Sequence, residues 1–305
     1  MSVCHAPYRV IPTHPPMSTR QPDAAQQGYR WCRTLARSHY ENFPVASLFL
    51  PVRLRNPVAA IYAFARTADD IADEGDAAAE ERLQQLDAIE LALNEIGSGT
   101  TPDAPLYQAL ADTITRNNLP IALFHDLLSA FRQDVHKSRY ADFGEVMDYC
   151  RRSANPIGRL LLHLTGHATE RNLAMSDALC SALQLINFLQ DIEQDYRENR
   201  RIYIPQDEMQ RFAITDADIE RRHNSFQLRL LVQHQAQRAS KLLGAGSPLG
   251  KVLKGRFGLE LRAITLSGAR ILEKLYQQED IFSRPRLDFA DRWRIALGAI
   301  KQGFT

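Results

Sequence analysis

From Tyr29 onward, apolar residues return at three- and four-residue intervals, and runs that alternate apolar with polar are almost absent. That period lines apolar positions along one side of an α-helix, so the pattern predicts an all-α chain. The helical stretches break at Pro44, Pro51, the loop from Gly97 to Pro105, Pro120, the loop from Asn199 to Asp207, and Gly244 to Pro248. At such points proline removes a backbone donor and glycine relaxes the helical bias. Asp142, Ser176 and Thr215 each stand before an apolar-periodic stretch, as N-capping side chains do. Asp218 follows Thr215 at the spacing of a capping box. About ten helices are predicted, with no internal repeat. Residues 1–25 carry five prolines among polar neighbours and read as a disordered tail, which leaves 26–305 as one helical domain.

Two of the predicted helices carry a second, polar stripe. In PVAAIYAFARTADDIADE, Pro57 to Glu74, the proline suits a first helical position, and Val58, Ile61, Ala65, Ala68 and Ala72 form the apolar face. At about 100° per residue, Tyr62, Arg66, Asp69 and Asp73 fall within about 60° of one another on another face. In SDALCSALQLINFLQDIEQDYRE, Ser176 to Glu198, residues Gln184, Asn187, Asp191 and Asp195 share about 80° of arc. The remainder of that segment is apolar on most sides, which predicts a buried helix. Carboxylates one turn apart repel, and inside a core they are driven toward protonation unless a cation compensates them. Magnesium suits such a site, because it takes oxygen ligands, keeps waters and is commonly shared between a few carboxylates and substrate phosphate oxygens. Two facing stripes could grip a metal cluster and, through it, a diphosphate.

The bulk composition removes several other readings. The 37 basic and 36 acidic residues give a formal net charge of +1, too little to draw in nucleic acid. The cysteines, Cys4, Cys32, Cys150 and Cys180, include no CxxC pair and read as reduced thiols of a cytoplasmic protein. No stretch approaches 18 uninterrupted apolar residues, and no signal-peptide pattern opens the chain, so the expectation is a soluble protein with at most a peripheral contact at the inner membrane. His163 and His167 have helical spacing but lack the HExxH acid, and the lone ExxH, Glu220 to His223, falls short of the two a ferritin-like site needs.

DDIAD at 69–73 and NFLQDIEQD at 187–195 resemble the two aspartate-rich motifs of the squalene/phytoene synthase family. YAFAR at 62–66, Tyr149 with Cys150, and RIYIP at 201–205 extend the resemblance, which runs from about Tyr29 to Leu297. It implies a single-domain isoprenoid synthase helical bundle with a central cavity, acting on a prenyl diphosphate with Mg2+. It implies that Asp69, Asp73, Asn187, Asp191 and Asp195 bind the metal, with Asp70 a lesser candidate. Tyr62, Arg66, Tyr149 and either Arg284 or Arg286 would meet the diphosphate or line its pocket. Phe43, Ser153, Ala154, Ile157, Gly158 and Gln184 would border the hydrocarbon cavity, and Tyr203 stands at the position of a pocket tyrosine. The chain departs from many relatives at Glu41, Asn42, Gln190 and Gly268, and its loop between Asp195 and Tyr203 is one residue longer.

RRSANPIGR at 151–159 together with HYENFP at 39–44 resembles the hydroxysqualene synthase branch of hopanoid biosynthesis, which works beside a separate presqualene diphosphate synthase. That branch implies conversion of presqualene diphosphate and water to hydroxysqualene and diphosphate, with no NADPH. Aromatic faces such as Phe43, Tyr62 or Phe188 would stabilise the carbocation. The break at Asn155 and Pro156 is expected to free the carbonyl of Arg152 and to place the Asn155 amide beside Ser153 at the cavity, helping to admit water. Squalene synthase, presqualene diphosphate synthase and phytoene synthase are alternatives within the family, and a non-catalytic accessory subunit is one outside it.

Overall fold

The structure is a computed structural model that describes residues 24–38 and 51–303. Fifteen α-helices and no strand occur among these residues. The first five are α1 (Ala24–Ser38), α2 (Val52–Asp73), α3 (Ala79–Gly97), α4 (Pro105–Asn117) and α5 (Ala122–Asp134). The middle of the chain forms α6 (Phe143–Ser153), α7 (Asn155–Thr165), α8 (Glu170–Gln190) and α9 (Ile192–Asn199). After the short α10 (Gln206–Arg211) and α11 (Asp216–Glu220) come the long α12 (Phe226–Gly246), the single turn α13 (Leu249–Val252), α14 (Gly255–Gln277) and α15 (Phe289–Lys301). The all-α reading holds, and the count exceeds ten because several expected helices are cut in two.

The capping chemistry explains several boundaries and corrects others. Asp142 accepts a hydrogen bond from the Glu145 amide at 2.9 Å, and Thr215 with Asp218 forms a reciprocal capping box. Ser176 does not cap: α8 starts six residues earlier, where Thr169 accepts from the Asn172 amide, and Ser176 is buried inside the helix. Likewise α2 starts at Val52, directly after Pro51, which leaves Pro57 inside the helix. The ring of Pro57 has no amide hydrogen for the carbonyl of Arg53, so α2 carries that lost bond within its buried N-terminal half. The segment 176–198, expected as one helix, breaks at Asp191, whose φ of −109° and ψ of 18° end α8 and start α9. Helix α1 begins at Ala24, so the last two residues assigned to the tail are helical.

Two apolar clusters organise the packing. One gathers α1 to α5 with Leu160 and Leu164 of α7, and the other gathers α6, α8 to α12 and α14. Helix α8 sits between α7 and α12 and also touches α6, α13 and α14, which is why it is apolar on most of its circumference. Helix α2 buries Ala60, Ala63, Phe64 and Ala68 against the first cluster, and the rings of Phe64 and Phe124 meet edge to face with centroids 5.3 Å apart. Since α2 carries the first acidic motif, packing on this side sets the height of that motif. Phe64→Ala should therefore cost about 3–5 kcal/mol of stability, read as a lowered urea midpoint with an unchanged slope.

Candidate functional site

A guanidinium joins the two acidic segments. Arg200 closes α9 in the left-handed region at φ 54°, and the chain then runs beside residues 138–141, with the Ile202 amide on the Ser138 carbonyl at 3.0 Å and the Gln206 amide on the Tyr140 carbonyl at 2.9 Å. This turn drives Arg201 inward, where the residue is 7% exposed. Its Nη1 and Nη2 donate to the two oxygens of Asp73 at 2.7 and 2.5 Å, a bidentate fork, and Nη2 also donates to the Asp134 carbonyl at 2.7 Å. The same charge acts on Asp69 of the first motif and Asp195 of the second.

Further arginines serve the remaining acids. Arg66 sits within ion-pair distance of Asp70 at 2.6 Å and Asp69 at 3.5 Å, and also pairs with Glu74. Arg284 pairs with both oxygens of Asp191, Nη2 donating to Oδ2 at 3.1 Å. Gln190 helps to place it, because its amide donates to the carbonyl of neighbouring Pro285 at 2.8 Å. Around Asp191 and Arg284 lies a polar hollow of about 500 Å³ that Arg286 and Glu198 also line.

Burial first, and neighbouring carboxylates after it, favour the protonated form of three of these acids. Burial raises the Asp69 carboxyl to about 6, with Asp73 adding to the rise. Burial and then Asp191 raise Asp195 to about 8, against the pull of Arg201. Asp134 is raised to about 7, by burial above all. The Tyr149 hydroxyl donates to Asp134 Oδ2 at 2.8 Å, while Oδ1 of that carboxyl is buried without a hydrogen-bond partner. The donor set is all oxygen, although no group of three or more His, Cys, Asp or Glu side chains converges into a metal cage among the described residues.

Beside the acids lies an apolar cavity of about 370 Å³. Helix α7 lines it with Ile157, Gly158 and Leu161, preceded by Ser153 and Ala154. Helix α8 supplies Ser176, Cys180, Leu183, Gln184 and Asn187, and α14 supplies Phe257, Glu260, Leu261 and Ile264. Gly158 is required by close approach, since a Cβ there would collide with Ser176 Oγ and Cys180 Sγ of α8. Gln184 and Asn187 are the last cavity residues of α8 before Asp191, so the apolar wall runs directly onto the acidic segment.

The model of the squalene/phytoene synthase family matches residues 36–294. The chain belongs to that family. It is 41% identical over 250 residues to the hydroxysqualene synthase of Rhodopseudomonas palustris, covering 81% of this chain and 83% of that one. With the hydroxysqualene synthase of Zymomonas mobilis it shares 37% identity over 263 residues, 85% and 86% of the two chains. The crystal structure of a squalene synthase from Alicyclobacillus acidocaldarius superposes with a TM-score of 0.78 at 36% identity, covering 85% of this chain and 97% of that chain.

Within this family frame, the expected residues divide. Ser153, Ala154, Ile157, Gly158, Gln184 and Asn187 face the cavity. Asp69, Asp73, Asp191, Asp195, Arg66 and Arg284 form the charged region, and Tyr62 is half-buried on α2 within electrostatic reach of Arg66 and Asp69. Three of the named residues do not line the apolar cavity. Asn155 is not in the cavity wall: α6 ends and α7 begins there, Pro156 falls in the first turn of α7, and the buried Asn155 amide oxygen accepts from Ser181 of α8 at 2.9 Å. Tyr149 and Tyr203 belong to an aromatic stack with Tyr140 and Phe188, in which the Phe188 and Tyr203 rings lie 3.6 Å apart and nearly parallel. That stack adjoins Asp195 and Arg201, away from the apolar wall. Phe43 and the HYENFP segment lie outside the described residues. Gly268 is buried where α14 meets Leu183, Ile186 and Leu243.

Asp134, Arg201 and the α14 wall were not assigned roles from sequence, and Ser176 was read as a cap rather than as part of the cavity wall. RIYIP pointed at Arg201 without saying what it does, and Asp134 ends an ordinary amphipathic helix, so nothing in the spacing marks it.

Because Asp69, Asp134 and Asp195 hold protons in the native state that an unfolded chain releases near pH 4, the native state binds more protons between about pH 4 and 8. Stability of the metal-free protein should thus fall as pH rises through that window and level off above it. Asp195→Asn should flatten the fall, so that its thermal midpoint gains on wild type from pH 5 to pH 8, as calorimetry in the presence of a chelator would record.

Proposed function

We propose that this member of the family converts presqualene diphosphate and water to hydroxysqualene and diphosphate, with Mg2+ as cofactor and without NADPH. The carrying observation is the join at Gln184 and Asn187, where an apolar cavity with room for part of a long hydrocarbon runs onto the α8 segment that ends in half-buried Asp191 and its arginine. The branch is supported by the two relatives named hydroxysqualene synthase, each matched over most of its length. Squalene synthesis is a second reading, favoured by the name of the Alicyclobacillus structure.

Magnesium fits the donor set: carboxylates and an amide, no sulfur or imidazole, and carboxyls left short of compensation by the arginines. Such an ion keeps waters and shares substrate phosphate oxygens, so a few carboxylates suffice to hold it. Asp69, Asp73, Asn187, Asp191 and Asp195 would hold it, and it supplies countercharge to the departing diphosphate. Arg66, Arg201 and Arg284 already rest on those carboxylates, so a diphosphate drawn to them meets guanidinium donors as its charge develops. When the carbon–oxygen bond breaks, its electron pair leaves with diphosphate. The cation rearranges against the apolar wall, water adds its oxygen to the new cationic carbon, and the surplus proton passes to diphosphate or solvent. With Asn155 directed at Ser181, the hydroxyls of Ser153 and Ser176 and the amide of Gln184 are polar wall groups able to place that water.

Incubation of the purified chain with presqualene diphosphate should release diphosphate and yield hydroxysqualene by mass spectrometry, equally with and without NADPH. Squalene formed only with NADPH would transfer the assignment to the second reading, and no diphosphate release would leave an accessory subunit. Asp69→Ala and Asp191→Ala should each lower kcat by about 100-fold or more with an unchanged circular dichroism spectrum. Arg66→Lys keeps the charge but loses the planar fork, and should stay at least about tenfold impaired in single-turnover assays.

A further inference from the structure

Helix α15 has one satisfied side and one bare side. On the satisfied side, Arg262 Nε donates to the Ala299 carbonyl at 2.8 Å, and Asp291, 1% exposed, is paired with Arg270 at 2.6 Å and Lys274 at 2.5 Å. These contacts fix α15 to α14. The bare side carries Phe289, Trp293, Leu297 and Ile300, which are 76%, 55%, 63% and 49% exposed. At about 100° per residue the four lie within about 80° of arc, a continuous apolar ridge pointing away from the α14 contact. Phe289 and Trp293 pack edge to face at its start, with centroids 6.1 Å apart.

The charge around the ridge is of one sign. On the same helical wheel, Arg292 flanks it on one edge, and Arg294 and Lys301 flank it on the other, all exposed. The only acid within the helix, Asp291, is spent on the buried ion pairs. A helix with an aromatic and aliphatic ridge and basic edges is suited to lie in the headgroup–acyl boundary, its long basic side chains reaching up to lipid phosphates. No helix among the described residues is long and apolar enough to cross a membrane.

We propose that α15 is a docking helix by which the protein lies on an anionic lipid surface, with Phe289, Trp293, Leu297 and Ile300 inserted and Arg292, Arg294 and Lys301 against the headgroups. Charge complementarity selects this occupant. A second copy meeting the ridge across a two-fold axis would set cationic edges against cationic edges, whereas a bilayer containing acidic lipids neutralises both edges at once. The ridge is separated from the cavity by α14, whose Leu261 and Ile264 line it, so lipid binding and turnover can be altered one at a time.

The test uses the full chain with vesicles of phosphatidylcholine, alone or mixed with phosphatidylglycerol. Trp293 shares the sequence with one other tryptophan, Trp31, so a Trp31→Phe background makes fluorescence report the ridge. The expected result is co-sedimentation with the acidic vesicles, a blue shift of Trp293, and quenching by brominated acyl chains. Arg292→Glu combined with Arg294→Glu should weaken partitioning at least about tenfold, and added salt should do the same. Leu297→Glu should abolish the blue shift while leaving the thermal midpoint and the turnover of detergent-dispersed substrate unchanged. Absence of co-sedimentation, or wild-type binding by both variants, overturns the proposal. A concentration-dependent dimer that Leu297→Glu dissolves, seen by ultracentrifugation without lipid binding, also overturns it and gives the ridge to a second copy.

Discussion

The fork between Arg201 and Asp73 is the contact around which the charged region is arranged. It ties the C-terminal end of α2 to the segment after α9 and to the Asp134 carbonyl at the end of α5, three parts of the chain distant in sequence. Burial opposes a charged guanidinium, and hydrogen bonding to Asp73 overrides it, so Arg201 stays protonated. Removing Asp73 would leave the buried Arg201 guanidinium without its bidentate partner, which is far costlier than never having built the pair. The acids of both motifs can then stand near one another because the charge of Arg201 acts on Asp69 and Asp73 of the first and on Asp195 of the second.

The cavity follows from a different constraint, helix spacing. Gly158 lets α7 approach α8 until only the Ser176 and Cys180 side chains separate them, and Gly268 does the corresponding service where α14 crosses α8. Small residues at those crossings bring three helices close at their contacts, while Leu161, Leu183 and Ile264 hold them apart around the hollow. Polar groups in the wall are few, which suits a reactive cation that must be shielded from bulk water and offered it at one place.

Position along α8 links the two. Its polar stripe starts inside the cavity at Gln184 and Asn187 and ends at Asp191, where the helix breaks. A continuous helix through Asp191 would keep a single axis; the break re-aims α9, and with it Asp195 and the Arg200 turn that delivers Arg201. Gln190 spans to the Pro285 carbonyl and so keeps Arg284 over Asp191.

Helical class, most breaks, the Asp142 and Thr215 caps and the two acidic stripes were determined by the sequence alone, because each depends on residues within a few positions of one another: a 3.6-residue period, a cap three residues from its amide, carboxylates one turn apart. Ile157 and Gly158 of α7 and Gln184 of α8 were legible as cavity residues through family motifs that keep the same order along the chain. What only the tertiary structure decided are the long-range pairings. Asp134 and Asp73 are 61 residues apart, and nothing local marks the first as a partner in a charged cluster. Asn155 looked like a cavity amide until the packing of α7 on α8 turned it to Ser181, and Ser176 looked like a cap until Thr169 took that role about two turns upstream. The α14 wall, Arg201 at the centre of the acids and the bare ridge of α15 have the same origin. Amphipathic periodicity says that a helix has an apolar face, but which neighbour covers that face, or whether any does, is set by packing across the whole chain.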